Sequence, residues 1–166
     1  MYRKINDFIS AYQLESGNTN KVFRSIDTAK KDEKVHKNIR SAARLAWHIV
    51  QTQSEMMSMT GLAESDDLKE KGIPPDFNSI IDEYNKHTEM LLSAVKSKWQ
   101  DEELEDNMDF FGEQWPKGFL LQSIITHEIH HRAQLTVVMR LLDMPVPGVY
   151  GPSREEWVKY NMPAAE

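Results

Sequence analysis

The chain has 166 residues, of which 40% are hydrophobic and 28% are charged, and its formal net charge is −6. This length and composition predict a single soluble globular domain spanning residues 1–166. The acidic balance argues against binding to nucleic acid or to an anionic membrane, and the absence of cysteine excludes disulfides and thiolate metal ligands.

No stretch approaches the ~20 consecutive apolar residues that cross a bilayer. Residues 1–7 also lack the apolar core of an export signal. We therefore expect a cytoplasmic protein with no membrane partner.

Apolar residues recur at helical spacing in four long segments, which predicts helices over residues 2–26, 41–59, 77–99 and 116–142. The glycine- and proline-containing segment 61–76 is predicted to be a loop long enough to cross the length of a bundle. Ser153 and Glu156 have the spacing of a capping box, which predicts a short helix over 154–160. Because no segment alternates like a strand, the predicted fold class is all-α: an antiparallel-type four-helix bundle with long connections and a short C-terminal helix.

Two histidines mark the predicted fourth helix as the candidate functional element. At ~100° per residue, His131 lies at the centre of the apolar stripe and His127 lies one step off it, so both rings project from the buried side. Neutral imidazoles bind transition metals well, and two rings four residues apart on a helix are neighbours. The alternative is a pair of core histidines with ordinary hydrogen bonds. A metal would need a third ligand, for which His48 at the edge of the second stripe is the candidate.

Two carboxylates are candidates for supporting such a site. Glu15 is an ionisable residue in the middle of the first apolar stripe, where a lone carboxylate is costly unless it is paired or metal-linked. It would either accept a hydrogen bond from a ligating histidine or act as a further ligand. The alternative is a helix that is kinked or shifted there, with Glu15 in solvent or paired with a basic side chain. Glu128 lies ~60° from the stripe centre and is expected at the rim of the site. His36 and His87 are expected to be peripheral.

Three motifs carry a resemblance to a known family. They are Leu-Ala-Trp-His-Ile (45–49), His-Glu-Ile-His-His-Arg-Ala-Gln (127–134) and Val-Pro-Gly-Val-Tyr-Gly-Pro-Ser (146–153). Together they resemble the DinB family of bacterial proteins. The resemblance implies a four-helix bundle in which His48, His127 and His131 hold a divalent metal, commonly nickel or zinc, with open positions for water. It also implies a homodimer, and characterised members of the family include transferases and isomerases that use low-molecular-weight thiols.

The functional alternatives differ in what the histidines do. The first is an enzyme in which the metal activates water or a small thiol, as a thiol-dependent transferase or a hydrolase acting on a small molecule. The second is a non-catalytic metal-binding or stress-response protein, and the third is a helical dimerisation module with core histidines. The letters His-Glu-x-x-His also match the zinc-protease signature, but the longer signature is broken at Gln134 and Val137 and substrate-binding strands are missing.

Trp47 faces away from its own helical stripe, so it is expected to pack against a connector or a partner chain.

Overall fold

The computed structural model describes residues 1–164 of the chain. Its long helices are α1 (Ile5–Arg24), α2 (Ala42–Met59), α3 (Phe77–Lys98) and α4 (Lys117–Leu141). A hairpin of β1 (Asn107–Phe110) and β2 (Glu113–Pro116) precedes α4, and short 3-10 helices span Asp101–Glu105 and Trp157–Tyr160. The predicted all-α four-helix bundle is confirmed, and each long helix begins and ends within three residues of its predicted bounds.

The four helices pack so that α1 and α2 each contact both α3 and α4. Val22 near the end of α1, Ala43 and Phe77 at the starts of α2 and α3, and Met139 near the end of α4 belong to the same hydrophobic cluster. Consequently α1 and α4 run in one direction and α2 and α3 in the other. Each helix therefore has one parallel and one antiparallel neighbour, unlike the antiparallel-type packing expected from the sequence. The reason is the connector 60–76, which returns along the bundle so that α3 starts at the same end as α2.

The connector 60–76 also covers two side chains that lie outside the apolar stripes of their own helices. The Trp47 ring is only 1% exposed, and its Nε1–H donates to the carbonyl oxygen of Lys71 at 3.2 Å. His87 is fully buried, with Nδ1 2.8 Å from the carbonyl oxygen of Glu83 and Nε2 2.9 Å from Oδ1 of Asp67. The prediction of a peripheral His87 was wrong, because a distant segment covers that flank of α3. His36 is exposed, as expected.

The β-hairpin was not predicted. Its two antiparallel strands are four residues each and pair from Asn107 with Pro116 to Phe110 with Glu113. The turn residues Phe111 and Gly112 have φ angles of 53° and 82°, as tight hairpins with right-handed twist require. Only Phe110 among the strand residues is buried, so neither strand shows the alternation of a half-buried sheet.

The C-terminal helix is shorter than predicted. Residues 154–156 form a turn, and the 3-10 helix that follows contains no buried residue. The Glu156 carboxylate accepts a hydrogen bond from the Ser153 N–H at 3.1 Å. The Ser153 hydroxyl has no partner within the described residues, so half of the capping box forms. Such a short segment lacks the buried face that stabilises most protein helices.

Among residues 1–164, no helix combines the length and apolar character that a bilayer crossing requires.

Candidate metal centre

Three histidine rings meet between α2 and α4. Nε2 of His131 lies 3.1 Å from Nε2 of His48 and 3.1 Å from Nε2 of His127. His127 and His131 are one turn apart on α4, and His48 is contributed by the facing surface of α2. All three rings are partly exposed, so the site lies at the edge of the core.

This arrangement fits a metal ion. One potential ligand atom from each ring lies within 4.8 Å of the other two. Atoms that bind one zinc ion at ~2.0–2.1 Å are roughly 3.3 Å apart in a tetrahedral site, close to the 3.1 Å separations around His131. The three-histidine group can therefore hold a metal ion with little movement of the rings.

The rings are held in the neutral form that metal binding needs. Burial, together with the charges of neighbouring rings and of Arg40, lowers the pKa of His48 to about 3 and that of His127 to about 4. Burial also lowers the pKa of His131, although its hydrogen bond to Gln134 acts in the opposite direction. At neutral pH each ring therefore carries a lone pair that an ion can accept.

Gln134 orients the central ring. Its Oε1 lies 2.8 Å from Nδ1 of His131, and its Nε2 lies 3.0 Å from Nε2 of His130. An amide oxygen can only accept, so the proton of neutral His131 resides on Nδ1 and its Nε2 lone pair points at His48 and His127. This role of Gln134 was not predicted from the sequence. The spacing could have indicated it, because Gln134 follows His131 by three residues and both side chains therefore lie on the same helical face.

A cavity of about 520 Å³ borders the histidine group at His131. His131 and Gln134 form part of its wall, and the rest is mostly apolar. The connector between α1 and α2 supplies the opposite wall, including Arg40. The volume of the cavity falls in the range of small-molecule sites, which are ~300–1,000 Å³.

Glu15 has partners other than the histidines. Its carboxylate forms an ion pair with Arg132, at 2.5 Å, and accepts a hydrogen bond from the hydroxyl of Tyr150 at 2.6 Å. Arg132 also donates to the carbonyl oxygen of Glu15 and to Oγ1 of Thr19. Among residues 1–164, no hydrogen bond joins Glu15 to a ring of the three-histidine group. The pairing with a basic side chain, raised as the alternative from the sequence, is what the structure contains.

Glu128 points into the core rather than toward the rim of the histidine group. Its side chain is 3% exposed, and its Oε1 accepts hydrogen bonds from Thr19 on α1 and Tyr84 on α3, at 2.5 and 2.6 Å. Burial raises the pKa of this carboxyl group against the opposing effect of these hydrogen bonds. Because the group is directed at α1 and α3, it is not positioned as the general base of a His-Glu-x-x-His protease.

The comparisons with known proteins agree with the motifs. A sequence model of the DinB family matches residues 1–163. The chain belongs to the DinB family. The uncharacterized protein YrdA of Bacillus subtilis (strain 168) is 31% identical over 164 residues, which cover 99% of this chain and 98% of YrdA.

Solved DinB-like structures share the fold. A DinB-like protein from Bacillus cereus ATCC 10987 superimposes with a TM-score of 0.83 at 33% identity, covering 90% of this chain and all of that one. The DinB-like protein YjoA of Bacillus subtilis gives a TM-score of 0.68 at 21% identity, covering 86% of this chain and 97% of YjoA. The second comparison supports the fold alone.

Proposed function

We propose that this DinB-family protein is a metal-dependent enzyme in which His48, His127 and His131 bind one divalent transition-metal ion, nickel or zinc. The observation that carries the proposal is the convergence of three neutral rings beside a cavity of small-molecule size. A purely structural metal site would have little use for such a cavity, which favours catalysis over the non-catalytic alternative.

The reaction we propose is group transfer to or from a low-molecular-weight thiol, with hydrolysis of a small molecule as the alternative. When bound, the ion would lower the pKa of a water to ~7 or hold a thiol as its thiolate. The protein's own contribution is positional: α2 and α4 fix the three rings, and Gln134 keeps the Nε2 atom of His131 unprotonated. The apolar cavity wall would exclude water from the remainder of the substrate.

The test is turnover by protein loaded with nickel or with zinc. The loaded protein is incubated with a small thiol and an aryl halide, and thiol consumption is followed. A second assay follows hydrolysis of a nitrophenyl ester. Turnover that is lost in His48→Ala supports the enzyme, whereas bound metal without turnover in either assay would favour the non-catalytic alternative.

Replacing Gln134 with leucine is expected to weaken metal binding by about 10–100-fold, the range typical for partners that orient a ligating histidine. Gln134 is exposed on α4, so its replacement should leave the fold intact. Nickel titration against a competing chelator measures the change. Thr126→Leu, an exposed position on the same helix outside the histidine group, is the matched control. Equal affinities for wild type and Gln134→Leu would remove Gln134 from the site.

The affinity for nickel is expected to change little between about pH 7 and about pH 6, where free histidines begin to take up protons. A protonated ring cannot bind metal, so affinity must fall once pH drops through the ring pKa values. Those pKa values are lowered to about 3 for His48 and about 4 for His127. The fall in nickel affinity is therefore expected well below pH 6.5, the ordinary histidine pKa. Chelator-competition titrations across this range, corrected for protonation of the chelator, provide the measurement. A tenfold loss by pH 6 would contradict the ring environments described above.

The homodimer remains a prediction. Trp47, which suggested a partner surface from the sequence, is covered by the connector 60–76 of its own chain. The support for a dimer is thus the family membership alone.

A further inference from the structure

We propose that the cavity beside the histidine group selects small organic anions, and that Arg40 binds their carboxylate or an equivalent acidic group. This inference deepens the proposed function, because it names the class of molecule on which the metal site would act. It rests on the lining of the cavity, the position of Arg40 and the absence of a competing partner for its guanidinium.

The cavity has the composition of a site for a mostly apolar molecule. Five apolar side chains line it, from the connector, α2 and the C-terminal half of α4: Ile39, Leu45, Val137, Val138 and Leu141. Ile39, Val137 and Leu141 are 39%, 58% and 59% exposed, which is unusual for aliphatic residues grouped at one place. A ligand that covered them would remove this apolar surface from water.

In the described part of the chain, Arg40 is the one cationic side chain that lines the cavity. Within residues 1–164, its guanidinium forms no ion pair and donates no hydrogen bond. By comparison, Arg132 and Arg140 are each paired with a glutamate. An arginine offers a fork of donors that matches a carboxylate or phosphate oxygen pair. Arg40 is therefore free to bind an acidic group on a ligand.

The local charge also favours an anion. The protein carries a net charge of −6, yet no aspartate or glutamate among residues 1–164 lines this cavity. The neighbouring Arg44, whose guanidinium is held by Gln51, adds a second positive charge on α2. An anion bound through Arg40 would thus lie in a positive region and place its apolar part against α4, next to His131.

The test compares 3-phenylpropanoate with its uncharged analogue 3-phenylpropanamide by isothermal titration calorimetry. Full-length protein is used with and without bound zinc, so that binding by the cavity is separated from coordination to the ion. We expect the carboxylate to bind in both forms. Arg40→Gln is expected to weaken that binding by about 10–100-fold, as for the loss of a charge-assisted hydrogen-bonded pair. Lys37→Gln removes the same charge three residues away, outside the cavity, and should bind like wild type.

Several results would overturn the inference. One is equal binding of the carboxylate by wild type and Arg40→Gln, and another is equal binding of the carboxylate and the amide. A third is an equal loss in Lys37→Gln, which would indicate general charge attraction. Failure of the wild type to bind the carboxylate, including failure because a second copy of the chain covers this face, would also overturn it. None of these results bears on metal binding, which is measured separately, so the proposed metal site can survive the loss of this inference.

Discussion

Replacing His131 with alanine is expected to reduce the metal content of the purified protein from about one divalent ion per chain to almost none. Loss of this ring has the largest effect on metal binding because its Nε2 lies at the centre of the group, 3.1 Å from the Nε2 atoms of both His48 and His127. The two remaining rings offer an ion only two ligands. The ring is partly exposed, and its removal should not unfold the bundle. Elemental analysis after dialysis against nickel or zinc provides the measurement.

The control for this variant is His36→Ala, which removes an exposed histidine in the α1–α2 connector. It should retain the metal content of the wild type. Circular dichroism of both variants separates loss of the site from loss of the fold. A His131→Ala protein that is folded and still carries a full complement of metal would show that the ion is bound elsewhere.

Replacing Glu15 with glutamine is expected to destabilise the protein by about 3–5 kcal/mol, the range for breaking a buried ion pair by removing one partner. The carboxylate and the guanidinium of Arg132 belong to residues that are 8% and 2% exposed. Glutamine keeps the shape but leaves the buried arginine without its counter-charge. Chemical denaturation of the metal-free protein measures the free energy of unfolding. Glu55→Gln, which changes an exposed carboxylate on α2, is the control and should change stability little.

The same variant distinguishes between two roles for Glu15. If the carboxylate acts through the ion pair, Glu15→Gln loses stability but binds nickel as tightly as wild type. If it supports a ligating histidine, as the sequence suggested, nickel affinity falls and stability changes little. A fall in both stability and nickel affinity would show that Glu15 exchanges Arg132 for a histidine when the ion binds.

The long helices could be predicted because the spacing of apolar residues within each segment is enough to indicate a helix. Apolar residues repeat along every long helix, and the same periodicity placed His127 and His131 on the inner side of α4 and His48 near the inner side of α2. Ring convergence then required only that α2 and α4 be neighbours, which a bundle of four helices and the family resemblance both favour.

Several of the missed features depend on contacts between distant residues. Glu15 and Arg132 are 117 positions apart, and nothing in either local pattern indicates the pair. His87 is buried by Asp67 from the connector, so the periodicity of α3 could not predict its burial. The hairpin escaped notice because its turn is Phe-Gly rather than Asn-Gly and its strands have no buried face. Arg40 lies in a charged connector where only the fold reveals that it lines a cavity.

The central claim is that three histidines bind one metal ion, and anomalous diffraction from crystals grown with nickel tests it most directly. We predict one peak per chain, located ~2.0–2.2 Å from the Nε2 atoms of His48, His127 and His131. A crystal of folded protein with no peak among these rings, or with nickel bound only at other residues, would contradict the account.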